Sequence, residues 1–395
     1  MKEIAREKIT KDVAAIIRRV RKDGDLAVIR FAKIFDGVNL QSRQLKISPA
    51  IIKEASKKID SAMKTALTIC AARIKSFHLK EKKSAGKSWA AIEKGVKLGQ
   101  IVNPVESVGV YVPGGRFSYP STVLMTVIPA KVAGVKRIAL VSPPKNITPE
   151  LLVAAGIAGV SEIYQVGGVQ AIAALAIGTK TIPKVDLIIG PGNAYVTEAK
   201  RQLFGEVGID LLAGPSELVV LADRTAKPEF VAADMAAQAE HDPMSRAILI
   251  STDNKLVASV RNLLPKAKLS QCRLIYQPNM AKAVGLVNNF AGEHVGIFVK
   301  NSVKIVREIK NGGAIFVGPY SPAVMGDYWA GPSHVLPTGR SARFSSGLSV
   351  ANFLKRSSLI QITPQAFRNG GKFAYKMAMA EGLREHANSI KIRLQ

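Results

Sequence analysis

Five histidines occur in the chain, and four of them stand in polar segments dense in other reactive groups. His241 lies in Gln238-Ala-Glu-His-Asp-Pro243 and His294 follows Glu293. His334 closes Gly331-Pro-Ser-His334, and His386 ends Glu381-Gly-Leu-Arg-Glu-His386. Histidine both carries protons near neutral pH and ligates transition metals. A chain that concentrates its few histidines in this way reads as a metalloenzyme.

Each cluster also has a plainer alternative. Gln238 and His241 fall on a predicted helix that has Pro228 in its first turn and ends at Asp242-Pro243. The i, i+3 spacing puts both on one face, where a carbonyl oxygen and an imidazole nitrogen can meet one cation. The alternative is a helix-capping histidine beside a solvated glutamine. Asp327 and His334, seven apart in a Gly/Pro-rich loop, could complete a shell of N and O donors suited to zinc, or be a turn aspartate and a surface histidine.

Glu293-His294 precedes a predicted strand. Neighbours on an extended backbone point to opposite sides, so a turn is needed for them to act together. They would then offer two proton acceptors of different basicity, as a two-stage reaction requires. The alternative is a solvent-facing pair. His386 follows Glu381 by five on a late helix, so the two face nearly opposite ways unless the helix ends between them; alone, it reads as a surface histidine. His78, flanked by Phe77 and Leu79, reads as structural.

The elements that must position these groups are legible from about residue 108. Before residue 100 the chain looks mostly helical, with short polar turns such as Lys22-Asp-Gly24. Strand-like runs then fall at 108–112, 137–142, 162–167 and 185–189, with helical patterns at 121–134, 149–157, 169–178 and 194–204. After Ala213-Gly214-Pro215 a second series begins. Its strands are 218–222, 247–251, 273–276, 295–299 and 314–317, and its helices are 228–240, 254–264, 279–289 and 302–309. Such alternation marks parallel sheets with helices on their faces, hence two α/β units. Residues 318–347 form a long Gly/Pro/Ser-rich loop, and loops of that length are usually functional. Residues 348–395 look like a helical tail, with helices near 365–369 and 373–388.

Four Gly-rich turns each follow a predicted strand: Pro113-Gly114-Gly115, Gly167-Gly168, Gly190-Pro191-Gly192-Asn193 and Gly214-Pro215-Ser216. Open α/β sheets bind ligands there, at the carboxyl ends of strands. None makes the G-x-G-x-x-G dinucleotide fingerprint, and each is also simply a tight turn.

The 395 residues predict two to three domains, and their apolar content is that of a soluble globular protein. The longest uncharged stretch, Ile163 to Thr179, contains glutamines and Gly-Gly and reads as strand plus helix, not a membrane span. No secretory signal is visible. Cys70 and Cys272, the two cysteines, have no metal-type spacing, which points to a reducing, cytoplasmic compartment. With 56 Lys+Arg against 29 Asp+Glu, the net charge is +27, high enough to raise nucleic acid as a partner. The lysines are spread along the chain without interleaved aromatics or a nucleic-acid motif, so a solvated basic surface is the preferred reading.

Taken together, these segments resemble the histidinol dehydrogenase family. The resemblance spans nearly the whole chain. It includes Val108-Gly-Val-Tyr-Val-Pro-Gly-Gly115, Tyr119-Pro-Ser-Thr-Val-Leu-Met125, Gly190-Pro-Gly-Asn-Ala-Tyr-Val-Thr-Glu-Ala-Lys200 and Asp210-Leu-Leu-Ala-Gly-Pro-Ser-Glu217. It continues through Gln238–Pro243, Gly331-Pro-Ser-His-Val-Leu-Pro-Thr338, Phe344-Ser-Ser-Gly-Leu348 and Glu381–His386. The resemblance implies zinc held by Gln238, His241, Asp327 and His386, with Glu293 and His294 as the acid/base pair. It implies NAD contacts at Tyr111, Gln170 and Asn193, and substrate contacts at Ser216, His294, His334 and Glu381 as well as the zinc ligands.

The implied fold is α/β: two incomplete Rossmann-like domains with helical N- and C-terminal tails, in an intertwined homodimer. Residues 1–110 with 214–347 would form one domain and 111–213 the other. The tail 348–395, with Glu381 and His386, would serve the partner's site. The implied reaction is oxidation of L-histidinol through L-histidinaldehyde to L-histidine with two NAD⁺. The alternative within the class is another small alcohol, such as a sulfonated diol; Glu381, suited to an imidazole N–H, favours histidinol. Relatives usually read Ala-Pro-Glu-His-Leu where this chain reads Ala291-Gly-Glu-His-Val295, and Gly292 is expected to loosen the turn that aims Glu293.

Overall fold

A computed structural model describes residues 2–114, 118–160 and 162–394. Gly115 of the Pro113-Gly114-Gly115 turn lies outside the described residues. Four helices come first: α1 (Lys2–Asp23), α2 (Asp25–Phe31), α3 (Pro49–Ala55) and α4 (Ser61–Ser84). Residues expected to be helical then form a hairpin, β1 (Trp89–Glu93) and β2 (Val96–Pro104). Its connection, Lys94-Gly95, has positive φ at both residues, 47° and 82°. That is the geometry a two-residue hairpin turn demands. All of β1 is exposed, so no inside/outside alternation marked it in the sequence.

The first parallel unit follows as β3 (Ser107–Tyr111), α5 (Pro120–Ala133), β4 (Arg137–Ser142), α6 (Pro149–Ala158), β5 (Glu162–Gln165), α7 (Gly168–Ile177), β6 (Leu187–Ile189), α8 (Ala194–Leu203) and β7 (Gly208–Ile209). Its sheet is ordered β5-β4-β3-β6-β7, every pair parallel. The second unit is β8 (Glu217–Ala222), α9 (Pro228–Gln238), β9 (Arg246–Ser251), α10 (Asn254–Leu263), β10 (Cys272–Tyr276), α11 (Met280–Phe290), β11 (His294–Phe298), α12 (Ser302–Glu308) and β12 (Ala314–Val317). Its sheet is ordered β10-β9-β8-β11-β12, again all parallel. Both sheets thus run third, second, first, fourth, fifth in local strand order. The duplication is topological and left no repeat in the sequence strong enough to read.

Strands buried on both faces need apolar side chains on both, which is why they appear as unbroken apolar runs. Val108, Val110, Leu140 and Ile188 are fully buried in the first sheet, and Val220 and Leu221 in the second. Helix α7 is apolar nearly all round because Val169–Ala176 is buried, in a core shared with Val13, Ile16, Ile17 and Val20 of α1. The long loop carries one short helix, α13 (Ala323–Tyr328), which packs on α9.

Residues 83–104 and 354–395 make a separate compact unit. The tail, read as helical with helices near 365–369 and 373–388, begins with a strand, β13 (Leu354–Ile362). It pairs antiparallel with β2 from Leu354↔Pro104 to Ile362↔Val96. This pairing joins segments 250 residues apart, beyond the reach of local pattern. Two helices follow, α14 (Pro364–Ala380) and α15 (Arg384–Lys391). Helix α14 runs unbroken through Gly370-Gly371, where α15 packs closely; Leu394 and Ile390 lie beside Gly371.

Candidate active site

Glu293 stands in the turn between α11 and β11, and His294 opens β11. The turn is pinned, not loose. Gly292 O accepts from Gly313 N–H at 3.0 Å, and Glu293 O accepts from Ala314 N–H at 2.9 Å. A Cβ at position 292 would come within 2.7 Å of Val219 Cγ2, so β8 already fills that space. Both residues are buried, against the solvent-facing alternative, at 6% and 4% exposure. Glu293 Oε2 accepts the Glu217 N–H at 3.0 Å, and Ser216 also hydrogen-bonds the carboxyl. The Glu293–His294 pair therefore sits at the amino edge of the second sheet, beside the starts of β8 and β12. The sequence rule that ligands gather at carboxyl ends does not place it.

Burial sets the protonation of both groups. It pushes Glu293 up to about 8; the Glu217 N–H works against this and the charge of Asp327 adds to it. Burial pushes His294 below the usual imidazole range, with Asp327 opposing. His294 Nε2 lies 3.9 Å from Asp327 Oδ1, and its ring tilts at 41° to Phe316 with centroids 5.7 Å apart. His294 Nδ1 is buried without a hydrogen-bond partner among the described residues.

Asp327 sits on α13, so it is helical and not the turn residue of the plainer reading. Its Oδ1 is 4.0 Å from His334 Nδ1. His334 is not a surface histidine. Its Nδ1 lies 3.1 Å from the Asp327 carbonyl, which can only accept, so Nδ1 carries the hydrogen. Nε2 then accepts from the Thr122 hydroxyl at 3.2 Å. Thr122 belongs to α5, so this bond ties the loop to the first α/β unit. Burial lowers the His334 pKa, with Asp327 opposing. His294, Asp327 and His334 share a cavity of about 860 Å³. Thr122 was not singled out in the sequence, although it lies inside a quoted motif.

Gln238 and His241 do not share a helical face. Helix α9 ends at Gln238, and His241 lies beyond it, exposed. Pro243 disfavours helix at Asp242, and the chain turns there, with Asp242 O accepting from Ser245 N–H at 3.0 Å. His241 still lies close enough that its charge pushes His294 and His334 down. Gln238 is 3% exposed, and its Nε2 has no partner among the described residues. That nitrogen is an N–H donor and calls for an acceptor; the atom a cation would take is the carbonyl Oε1. Gln238, His241 and Asp327 together are nitrogen and oxygen donors of the type zinc accepts, so the residues fit such an ion. Among the described residues no group of three or more His, Cys, Asp or Glu is close enough to hold a metal.

Glu381 caps α14 and His386 lies on α15, both exposed, in the unit formed by residues 83–104 and 354–395. The helix does end between them, which removes the opposed-face objection.

Tyr111, Gln170 and Asn193 line a different cavity, of about 1160 Å³, at the carboxyl end of the first sheet. Its sheet order reverses between β3 and β6, where open α/β sheets bind their ligands. The Tyr111 hydroxyl accepts the Gly168 N–H at the start of α7, at 3.2 Å, and burial pushes the phenol up to about 12. Gln170 is 1% exposed, with Oε1 unpartnered among the described residues. Asn193 caps α8 through Tyr195 N–H at 3.0 Å and Val196 N–H at 3.1 Å, leaving its NH₂ available. Gly190, at φ 111°, lets the turn touch β3: a Cβ there would fall 2.1 Å from Tyr111 O. A buried Lys200–Asp210 ion pair holds the same glycine, Asp210 accepting its N–H at 2.7 Å and Lys200 donating to its carbonyl at 3.0 Å. Sequence reading passed over this pair because a lysine on an amphipathic helix normally faces water.

The family model for histidinol dehydrogenase matches residues 1–394. Among curated relatives, histidinol dehydrogenase of Listeria monocytogenes is 46% identical, covering 98% of this chain and 93% of the relative. That of Carboxydothermus hydrogenoformans is 46% identical, covering 98% and 94%. The crystal structure of histidinol dehydrogenase from Elizabethkingia anophelis superposes with a TM-score of 0.91 at 36% identity, covering 97% of this chain and 92% of that one. An acetylating aldehyde dehydrogenase from Geobacillus thermoglucosidasius shares only the fold, at TM-score 0.51 and 14% identity.

Proposed function

The chain belongs to the histidinol dehydrogenase family, and from that membership we propose that it oxidises L-histidinol through L-histidinaldehyde to L-histidine, the last step of histidine biosynthesis, in the cytoplasm. The observation that carries the reading is the buried Glu293–His294 pair facing Asp327 and His334. Two adjacent proton acceptors with different environments suit two successive oxidations.

Gln238, His241 and Asp327, with His386 from the tail of a second copy, would hold zinc. Bound there, zinc supplies a Lewis-acidic template for nitrogen and oxygen donors of the substrate, and NAD⁺ supplies the hydride acceptor for each oxidation. His294, kept neutral by burial, takes the proton of the alcohol as its C–H hydrogen leaves as hydride. Glu293 takes a proton from the water that adds to the aldehyde, and the hydrate is oxidised in the second step. Burial raises Glu293 above the usual carboxylate range, so its ionised form is a stronger base than a surface carboxylate. Ser216, His334 and Glu381 of a second copy would contact the substrate. His334 is held in one orientation by the Asp327 carbonyl and Thr122. Tyr111, Gln170 and Asn193 would hold the dinucleotide.

The test is NADH formation by the purified protein with histidinol, with and without chelator. Two NADH per histidinol, lost on chelation and restored by zinc, is the expected result. Activity only with another alcohol, such as a sulfonated diol, would move the chain to a paralogous reaction.

A further inference from the structure

Asp327 and His334 stand on a segment with little to hold it in place by itself. Helix α13 has six residues and no side-chain cap at its amino end. Helices that short depend on tertiary contacts, because one or two turns do not offset the cost of nucleation. The last carbonyls of a helix also lack helical partners. Here Met325 O accepts Trp329 N–H at 2.9 Å and Ala330 N–H at 2.7 Å, and Asp327 O accepts from His334 Nδ1 at 3.1 Å. The carbonyl of Trp329 is met from far along the chain: Arg73 of α4 donates Nε–H to it at 3.0 Å.

The guanidinium carbon of the same arginine sits 3.5 Å from the centroid of the Trp329 ring. The electron-rich face of an indole attracts a cation, and a planar guanidinium suits it best. One side chain thus holds both the main chain and the indole of Trp329, two residues beyond Asp327. A second contact lies one helical turn along α4. Gly331 has φ 121°, and a Cβ on it would fall 3.0 Å from Phe77 Cβ and 3.2 Å from the Arg73 carbonyl oxygen, so the loop backbone lies directly on the helix. A third contact is at Glu81, whose Oε2 accepts Val350 N–H at 2.8 Å and lies 2.7 Å from His78 Nδ1. Arg73, Phe77 and Glu81 are four apart and form one stripe along α4. Phe77, Glu81 and Trp329 line the cavity of about 860 Å³ that Asp327 and His334 share.

We propose that Arg73 is a positioning residue for the metal site: through Trp329 it fixes the end of α13, and with it the place at which Asp327 presents its carboxylate. The assignment rests on the reading of Asp327 as a zinc ligand. Lysine is only a partial substitute. Its ammonium is a point charge, without the planar fork that bonds the carbonyl and stacks on the indole at once.

Zinc affinity of the full-length protein, measured by competition with a chromophoric chelator, tests this. R73M should weaken zinc binding by roughly tenfold or more, the usual effect of removing an outer support of a metal ligand. R73K should fall between R73M and wild type. The thermal midpoint of the zinc-free protein should stay close to wild type in both, as it does for most substitutions at exposed positions. Asp327→Ala should weaken zinc binding by itself, and R73M added to it should cost nothing further, since the ligand through which Arg73 acts is gone. Wild-type zinc affinity in R73M overturns the proposal, as does a full further loss from R73M in the Asp327→Ala background. A wild-type protein that binds no zinc removes instead the ligand reading of Asp327.

Discussion

Glu293 Oε2 and His294 Nδ1 are neighbours in sequence and lie 3.7 Å apart, beyond hydrogen-bond length. The carboxylate spends its oxygen on the Glu217 N–H, and the imidazole directs Nε2 towards Asp327. Because neither satisfies the other, each can hold or release a proton on its own. The turn that arranges this is fixed by backbone bonds to Gly313 and Ala314.

Independent acceptors predict separable defects. Glu293→Gln keeps the shape and the capacity to accept from Glu217 N–H but removes the base. Oxidation of supplied histidinaldehyde should fall by about 10²–10⁴, the usual contribution of a general base. The first NADH formed from histidinol should fall by no more than about tenfold. Stopped-flow absorbance resolves the two; equal losses in both would show that the roles are not divided between Glu293 and His294.

His241 is exposed and beyond the end of α9, so its removal should not disturb the core. His241→Ala is expected to fold with an unchanged thermal midpoint and to lose zinc and activity together. Zinc measured by atomic absorption at the wild-type level would sink its assignment as a ligand.

Much of this arrangement was legible in the sequence because the inner parallel strands, such as β3, β6 and β11, are buried on both faces and so are apolar almost without interruption. Every strand reading from 108 to 317 corresponds to a strand in the structure, apart from the two-residue β7, which was too short to leave a pattern. The losses have identifiable causes. Strand β1 is exposed throughout, so no alternation signalled it, and β13 is mostly exposed and pairs with β2 from far along the chain, so neither alternation nor proximity signalled it. Gln238 and His241 were read as one helical face because the periodic pattern continues to Ala239, while the break comes from Pro243 acting back on the chain. Asp327 and His334 were legible as a possible donor pair, but their geometry was not, since it depends on a main-chain carbonyl and on Thr122 some 212 residues away.

A pH-dependent contribution to stability follows from Glu198. It accepts two bonds from Arg201, each 2.7 Å, and one from Gln202 at 2.8 Å, which in turn reaches the Thr10 carbonyl of α1. The Arg201 bonds, foremost, hold its pKa down to about 2 against 4.5 for a free glutamate. A depressed folded-state pKa stabilises the fold above the unfolded value, and the gain disappears as pH falls from 4.5 towards 2. Arg201 is half exposed, so solvent reduces the gain to about 1–2 kcal/mol. Glu198→Gln should therefore melt below wild type at pH 7, with the gap closing as pH falls below 4.5. A gap independent of pH in thermal melts from pH 7 to 3 would show that the ion pair is not its source.

The tail supplies the last prediction. Glu381 and His386 belong to a unit made of residues 83–104 and 354–395, and Glu293, His294 and Asp327 belong to the other. On that tail Phe373 and Met377, one helical turn apart on α14, are each 62% exposed, an apolar patch that a partner could cover. A second copy of the chain is the proposed cover, with His386 completing its zinc site. His241→Ala and His386→Ala should each be inactive alone. Unfolded together and refolded as an equal mixture, half of the dimers pair one of each. In such a dimer one site combines an intact body with an intact tail, so roughly a quarter of wild-type activity should return. If His386 instead served its own chain, every site would keep one lesion and none would return. Mixed dimers detected by differential tagging, with no recovered activity, would rule out the shared site.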